Sequence, residues 1–384
     1  KSARKEVKMF ESCTYLFLQQ YWWIIVSLLA AFFIFLTFVQ GGQTLFGALS
    51  TNEDEKTMLI NAIGRKWEFT FTTLVTFGGA MFAAFPKFYS TSFGGAYWLW
   101  IAILFCFVIQ AVSYEFRKKP GNVLGAKTYE IFLYINGSIG IFLIGVAVGT
   151  FFTGSDFVLN EFNQVAWLNK TRGLEAVFNF QNVALGLTVF SLSRILGAQY
   201  FINSIDNDNI ATRSRRQVGY NTLLFLVFFL IFVFMLLLND GFSYTQDNGL
   251  VSKASNKYFH NLIEMPVVML LFIMGVLLVL SGILITWFKK STKGIWFSGS
   301  GTILTVLALL LLAGFNNTCF YPSVTYLQSS LTIENSSSSK FTLTVMSYVS
   351  LFIPFVLLYI VFAWRAINKK RINHEEISET DHKY

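Results

Sequence analysis

The chain has 384 residues, of which 54% are apolar, 18% aromatic and only 13% charged, with a formal net charge of +8. Soluble proteins carry roughly 25% charged residues, and this chain combines about half that share with a mean hydropathy of +0.55. That is more apolar surface than a water-soluble fold of this size can hide, which excludes a cytosolic enzyme and a nucleic-acid-binding module and leaves an all-α polytopic membrane protein.

A membrane-spanning helix needs about 20 apolar residues. Stretches of that order predict nine spans, at 21–39, 69–86, 95–114, 131–152, 177–201, 218–238, 265–288, 295–315 and 343–364, all charge-free except the fifth, which contains Arg194. Lys1, Arg4, Lys5 and Lys8 precede the first like the basic region of a signal peptide. Its apolar core is too long for one, and Gln40-Gly41-Gly42-Gln43 follows it instead of a small-x-small cleavage site. It reads as a span behind a basic tail at 1–15. The connections are too short for an inserted soluble domain, so residues 1–384 read as a single membrane domain. The tail at 368–384 mixes both signs and reads as a solvated end.

Positive charge collects on alternate loops. Lys56, Arg65 and Lys66, then Arg117, Lys118, Lys119 and Lys127, then Arg213, Arg215 and Arg216 share one side. Lys289, Lys290 and Lys293 join them, with Arg365, Lys369, Lys370 and Arg371. They outnumber Lys87, Lys170, Arg172, Lys253, Lys257, Lys340 and the basic N-terminal tail on the other side. The positive-inside rule then puts the C-terminus in the cytoplasm and accounts for the net charge without nucleic acid. Trp22, Trp23, Trp67, Trp98, Trp100, Trp287, Trp296 and Trp364 fall near span ends, where interfacial aromatic belts lie. Gly145-x-x-x-Gly149 and Gly78-Gly79 read as close helix-packing points.

Cys13, Cys106 and Cys319 are scattered and read as unpaired buried thiols. His260 falls in an outer loop, and His374 and His382 in the tail. No His therefore lies within a span, and the chain cannot build a bis-His haem site in the bilayer. The sequence carries no local metal-site spacing, no Walker A motif and no pair of broken helices in matching halves. No catalytic residue and no metal ligand is expected.

Ionisable groups are expensive in hydrocarbon and each needs a partner or a task. Glu68 follows Trp67 at the start of the second span. It reads either as an interfacial carboxylate favoured by the helix N-terminus or as a proton carrier. Gln40 and Gln43 leave the first span on the same side, so the three outline a small polar vestibule. Glu115 and Arg117 read as an interfacial anchor, and Glu130 and Glu264 as solvated span edges. Arg194, with Gln181, Asn182 and Gln199 on its span, faces protein or snorkels to the boundary.

Several stretches together resemble subunit II of the cytochrome bd-type quinol oxidases. They are Met58-Leu59-Ile60-Asn61-Ala62-Ile63-Gly64, Trp67-Glu68, and Gly78-Gly79-Ala80-Met81-Phe82-Ala83-Ala84-Phe85-Pro86. Further on come Tyr114-Glu115-Phe116-Arg117, Ser330-Leu331-Thr332-Ile333, Thr342-Leu343-Thr344-Val345-Met346 and Ile372-Asn373-His374-Glu375-Glu376-Ile377. The resemblance covers essentially the whole chain.

It implies a haem-free subunit of a bacterial inner-membrane complex that oxidises quinol and reduces oxygen to water. Two b-type haems, one d-type haem and the quinol site would lie in a haem-bearing subunit I. A small single-span subunit often accompanies the pair, and some members hold a structural quinone in subunit II. The family's acidic position after Trp67 maps to Glu68, which favours the proton-carrier reading, with Gln40, Gln43 and Trp67 beside it in a cytoplasmic proton pathway. The sequence departs from the family where Gln40 and Gln43 stand for two carboxylates and Gln110 for an arginine. An amide orients water but does not ionise. The competing readings are a stand-alone proton-coupled permease and a pure assembly scaffold within the oxidase.

Overall fold

The computed structural model describes residues 9–373. The expectations for Lys1, Arg4, Lys5, Lys8, His374 and His382 lie outside the described residues. The first passage is α1 (Tyr15–Leu36), opened by the Thr14 side chain accepting from the Phe17 amide. After a turn at Thr37 it continues into α2 (Phe38–Gln43), and then the short α3 (Phe46–Leu49). The amphipathic α4 (Glu53–Gly64) precedes α5 (Trp67–Ala84), the second passage. Pro86 then starts α6 (Pro86–Phe88) and a π-helical turn at Tyr89–Gly94, with a bend of 116°.

The third passage is α7 (Tyr97–Phe116). The fourth joins α8 (Ala126–Ile135) to α9 (Ile141–Thr153) through a second π-helical turn, Asn136–Gly140. After a hairpin of β1 (Phe157–Leu159) and β2 (Val165–Trp167) come α10 (Phe180–Ser204) and α11 (Asp208–Leu238). A second hairpin, β3 (Gly241–Tyr244) with β4 (Val251–Ala254), leads to the short α12 (Lys257–Glu264). The remaining passages are α13 (Pro266–Trp287), α14 (Gly294–Gly314) and, after the short α15 (Ile333–Ser336), the pair α16 (Lys340–Ser350) and α17 (Ile353–Ile367).

Among the described residues seven helices are long and apolar enough to cross a membrane, and nine passages result if each bent pair counts as one. The expected span at 343–364 is two helices set at 41°, because Pro354 has no amide proton to donate within a continuous helix. The fourth span is likewise interrupted, by the π turn at Asn136–Gly140.

The two ends of the bundle differ. At one end the start of α1 meets the 334–338 segment, with Gln19 Nε2 donating to the Glu334 carbonyl at 3.0 Å. Both hairpins lie at this end, over an aromatic layer in which Phe88 packs on Tyr321 (5.1 Å between centroids) and Trp23 on Phe320 (4.4 Å). At the other, basic end, Arg371 closes the C-terminus of α10. Its Nη2 donates to the Ile202 and Ile205 carbonyls, both at 2.8 Å, and its Nη1 pairs with Asp206 at 2.9 Å. The start of the tail is thus fastened to the bundle, while Lys369, Lys370 and Arg371 stay exposed.

α10 is buried along most of its length and organises the rest. Gly145 and Gly149 let α9 lie directly on it: a Cβ at Gly145 would come 2.6 Å from Gly186 Cα, and one at Gly149 2.5 Å from Asn182 Oδ1. That packing expectation holds for this pair and not for Gly78-Gly79. A Cβ at Gly79 would meet nothing within 4 Å. Cys13, Cys106 and Cys319 are free thiols; the latter two are buried and Cys13 is half-buried.

Candidate functional site

The Gln40-Gly41-Gly42-Gln43 run forms most of α2, and its alternation has a packing reason. A Cβ at Gly41 would lie 2.0 Å from the Ser193 carbonyl oxygen, and one at Gly197 would lie 2.5 Å from the Gly42 nitrogen. The two glycines therefore seat α2 backbone-to-backbone on α10. The flanking glutamines are directed elsewhere. Gln40 Nε2 donates to Gln110 Oε1 on α7 at 3.4 Å, and Gln43 Nε2 donates to the Tyr114 hydroxyl one turn further on at 3.1 Å. Gln40, Gln43 and Gln110 are at most 1% exposed. The Tyr114 ring stacks on Trp67, at 5.8 Å and 13°.

The Asn136–Gly140 turn closes the same place from α8. Its Gly137 lies where a Cβ would fall 2.2 Å from the Gln40 carbonyl oxygen and 2.7 Å from Thr44 Cγ2. A Cβ at Gly140 would lie 3.1 Å from Cys106 Cβ, one turn before Gln110, and 3.4 Å from Asn136 Nδ2. Asn136 is fully buried. Buried side-chain polar atoms nearly always find a partner, yet Gln40 Oε1, Gln43 Oε1, Gln110 Nε2, both polar atoms of Asn136 and Trp67 Nε1 have none among the described residues. Arg194 sits at the edge of this cluster. Its Nη1 donates to Thr44 Oγ1 at 3.0 Å and its Nε to Asn221 Oδ1 at 2.7 Å. Both partners are neutral, so Arg194 faces protein as one of the two readings foresaw.

Glu68 is placed differently. It is exposed on the outer face of α5, in line with Thr72, Val75, Thr76, Gly79 and Phe82, all exposed. The structure joins Gln43 to Trp67 through Tyr114, but encloses Gln40 and Gln43 while turning Glu68 outward, so no single vestibule holds all three. Against lipid the carboxylate of this stripe is the costly group, because it lacks water there; the Thr76 hydroxyl donates to the Thr72 carbonyl of its own helix at 2.8 Å. α17 likewise has no buried residue.

Lys66, directly before α5, was not singled out by the sequence. Its side chain is fully buried, and Nζ lies 4.2 Å from the Trp364 ring centroid and 5.6 Å from that of Phe69, with no hydrogen-bond partner among the described residues. The aromatic faces hold the ammonium by cation–π attraction and tie α17 to the start of α5.

The basic end carries an ion-pair network. The nearly buried Arg117 donates from Nη2 to Glu130 Oε1 at 2.7 Å, Lys56 approaches Glu130 at 3.4 Å and Glu53 at 2.7 Å, and Arg213 pairs with Glu55 at 2.6 Å. Glu115 pairs with Lys119. Glu130 is thus the anchor of Arg117 and not a solvated span edge, because the α7–α8 turn brings the two face to face.

An apolar cavity of about 130 Å³ lies among α1, α10, α11, α13 and α14, lined by Ile34, Val189, Phe229 and Val279 with Thr188, Thr302 and Thr305. Each threonine hydroxyl donates to a carbonyl of its own helix, at 2.7, 2.8 and 2.9 Å. His260 is exposed on α12. Among the described residues no three His, Cys, Asp or Glu side chains form a metal-binding group.

Comparison with known proteins agrees with this architecture. The chain is 28% identical over 376 residues to cytochrome bd-I ubiquinol oxidase subunit 2 of Escherichia coli (strain K12), covering 94% of this chain and 97% of that one. It is 28% identical to cytochrome bd ubiquinol oxidase subunit 2 of Bacillus subtilis (strain 168), covering 94% and 98%. A solved structure of bd oxidase from Geobacillus thermodenitrificans shares the fold, with a TM-score of 0.57 at 12% identity over 92% of this chain and 98% of that one. Residues 18–367 match the family described as cytochrome bd terminal oxidase subunit II. The chain belongs to the cytochrome bd terminal oxidase subunit II family.

Proposed function

We propose that this chain is the haem-free subunit of a bd-type quinol:oxygen oxidoreductase of the bacterial inner membrane, with its C-terminus in the cytoplasm. It supports a haem-bearing subunit I and contributes to proton uptake from the cytoplasm while oxygen is reduced to water. The observation that carries this reading is the outward stripe on α5, running from Glu68 through Thr72 and Thr76 to Gly79, in a chain of this family. A carboxylate is costly against lipid, and the small Thr and Gly residues beyond it let another membrane helix approach closely. Glu68 would then stand between the basic end and the partner, where a carboxylate accepts a proton from water and passes it across the interface.

The haems and the quinol site belong, on this reading, to the partner, as does any contact with a small third subunit. A structural quinone in this chain is not supported by the apolar cavity. A quinone carbonyl needs a hydrogen-bond donor, and the hydroxyl protons of Thr188, Thr302 and Thr305 are already given to their own helices.

Purification of the tagged chain from its native membrane tests the reading. The account expects a co-purifying polytopic partner and a reduced-minus-oxidised spectrum with b-type and d-type haem bands. A preparation without haem that transports a solute with protons in liposomes would favour the permease and overturn the oxidase reading.

A further inference from the structure

We propose that Gln40, Gln43, Gln110 and Asn136 form an internal water-binding site between α2, α7 and the Asn136–Gly140 turn. It deepens the proton-uptake reading and, for its functional role, rests on it. The four side chains are at most 1% exposed and come from three elements that touch. Five of their polar atoms have no partner among the described residues: the acceptors Gln40 Oε1, Gln43 Oε1 and Asn136 Oδ1, and the donors Gln110 Nε2 and Asn136 Nδ2.

The mixture identifies the ligand. A metal cation would satisfy only the acceptors and an anion only the donors; water, which donates and accepts, satisfies both kinds. The inference is indifferent to which amide atom is oxygen and which nitrogen. If Gln40 and Gln110 were both turned over, their hydrogen bond would reverse and one free donor and one free acceptor would again remain. Leaving such atoms bare costs about 1–3 kcal/mol each, and buried waters with about three hydrogen bonds are the usual remedy. The turn itself points the same way. π-helical insertions widen a helix locally and recur at functional sites, and this one turns both polar atoms of Asn136 into the bundle.

The site is also neutral. Among the described residues no carboxylate hydrogen-bonds to it, and the Arg194 cation lies at its Thr44 edge. An excess proton therefore finds no resting place here, and the waters hand protons on without storing them, storage being left to Glu68.

The test is a single-particle structure of the intact, purified complex at a resolution that shows interior water, repeated for Gln110→Met and Asn136→Leu, with oxygen consumption measured on the same preparations. The expected result is water density within hydrogen-bond distance of these amides, loss of that density in the variants, and turnover reduced about fivefold to tenfold at unchanged haem content, the equivalent of one lost hydrogen-bonded link. Water density that disappears in the variants with turnover unchanged upholds the site and overturns the proton-uptake reading. No density between the amides of the unmodified complex, with water visible elsewhere in its interior, overturns the site whatever the turnover. So does an arrangement in which the amides satisfy one another. If neither variant assembles, the map of the unmodified complex decides the site alone.

Discussion

The contact that sets the glutamines of α2 in place is glycine against backbone, and Gly41→Ala tests it. The new Cβ would lie 2.0 Å from the Ser193 carbonyl oxygen, 2.1 Å from its carbon and 2.5 Å from the Arg194 nitrogen. Ordinary contact begins near 3.4 Å, so α2 must retreat from α10 by more than an ångström. No side chain can rotate away, because all three atoms are backbone. Overpacking in a filled interior costs about 1–3 kcal/mol, and a backbone clash belongs at the upper end, about 3 kcal/mol. The retreat also moves Gln40 and Gln43 relative to Gln110 and Tyr114. Gly47→Ala is the control, since a Cβ there meets nothing within 4 Å. Measured by intrinsic fluorescence on the purified complex, Gly41→Ala is expected to lower the apparent Tm by several degrees and Gly47→Ala to leave it within about one degree. Equal Tm values for the two variants would refute the close seating of α2 on α10 and the placement of the glutamines built on it.

Two further outcomes follow from other parts of the molecule. Gly79→Leu places a side chain where the chain itself offers open space. It should leave folding of this chain intact while reducing recovery of the partner at least several-fold in a pull-down, and unchanged recovery would show that the α5 face does not carry the partner. At the hairpin end, burial and the nearby Glu334 carboxylate, whose Oε1 accepts from the Tyr244 hydroxyl at 2.8 Å, push the Tyr244 phenol above its ordinary value of 10. Below pH 10 both folded and unfolded chains keep this proton and stability does not depend on it. Above pH 10 the unfolded chain releases the proton first, so stability falls as pH rises. Tyr244→Phe should cost about 1 kcal/mol at neutral pH, given that Glu334 is exposed, and flatten the alkaline fall in Tm; an unchanged alkaline profile would contradict it.

The membrane class and the passages were legible because they rest on composition and length. The helices at 266–287 and 294–314 lie within a residue or two of where charge-free runs placed them. Elements that span nothing were not legible: α12 and both hairpins are short, and α4, though largely buried, opens on a charged run that reads as loop. Two interruptions escaped for a different reason. Pro354 was visible but sits inside an apolar run that hydropathy treats as continuous, and the Asn136–Gly140 turn has no compositional mark beyond Asn and two glycines.

At the candidate site, Gln40 and Gln43 stood out as polar residues after a span and Glu68 as a charge beginning one. That the amides are enclosed while Glu68 faces outward depends on which face of α2 meets α10, and that is fixed by Gly197 and Ser193 some 150 residues away. Asn136 passed unnoticed, and Gln110 drew notice only as a departure from the family, because a neutral amide in a span carries no charge signal. Lys66 was counted toward orientation, and its burial against Trp364 requires knowing where the last helix returns. Gly78-Gly79 is the counter-case: a small-residue pair reads as close packing, yet within this chain a Cβ at Gly79 meets nothing within 4 Å.

The central claim, that this subunit takes part in proton uptake through the exposed face of α5, is tested most directly by Glu68→Gln in the assembled complex. The measurement is oxygen consumption with excess quinol, normalised to haem content from the reduced-minus-oxidised spectrum. Glutamine keeps the size and hydrogen-bonding reach of the side chain and removes only its ability to take up a proton. The account predicts normal haem content and turnover reduced about a hundredfold, the lower edge of what a positioned proton-transfer group contributes. Turnover equal to that of the unmodified complex would contradict it and leave the chain a scaffold for its partner.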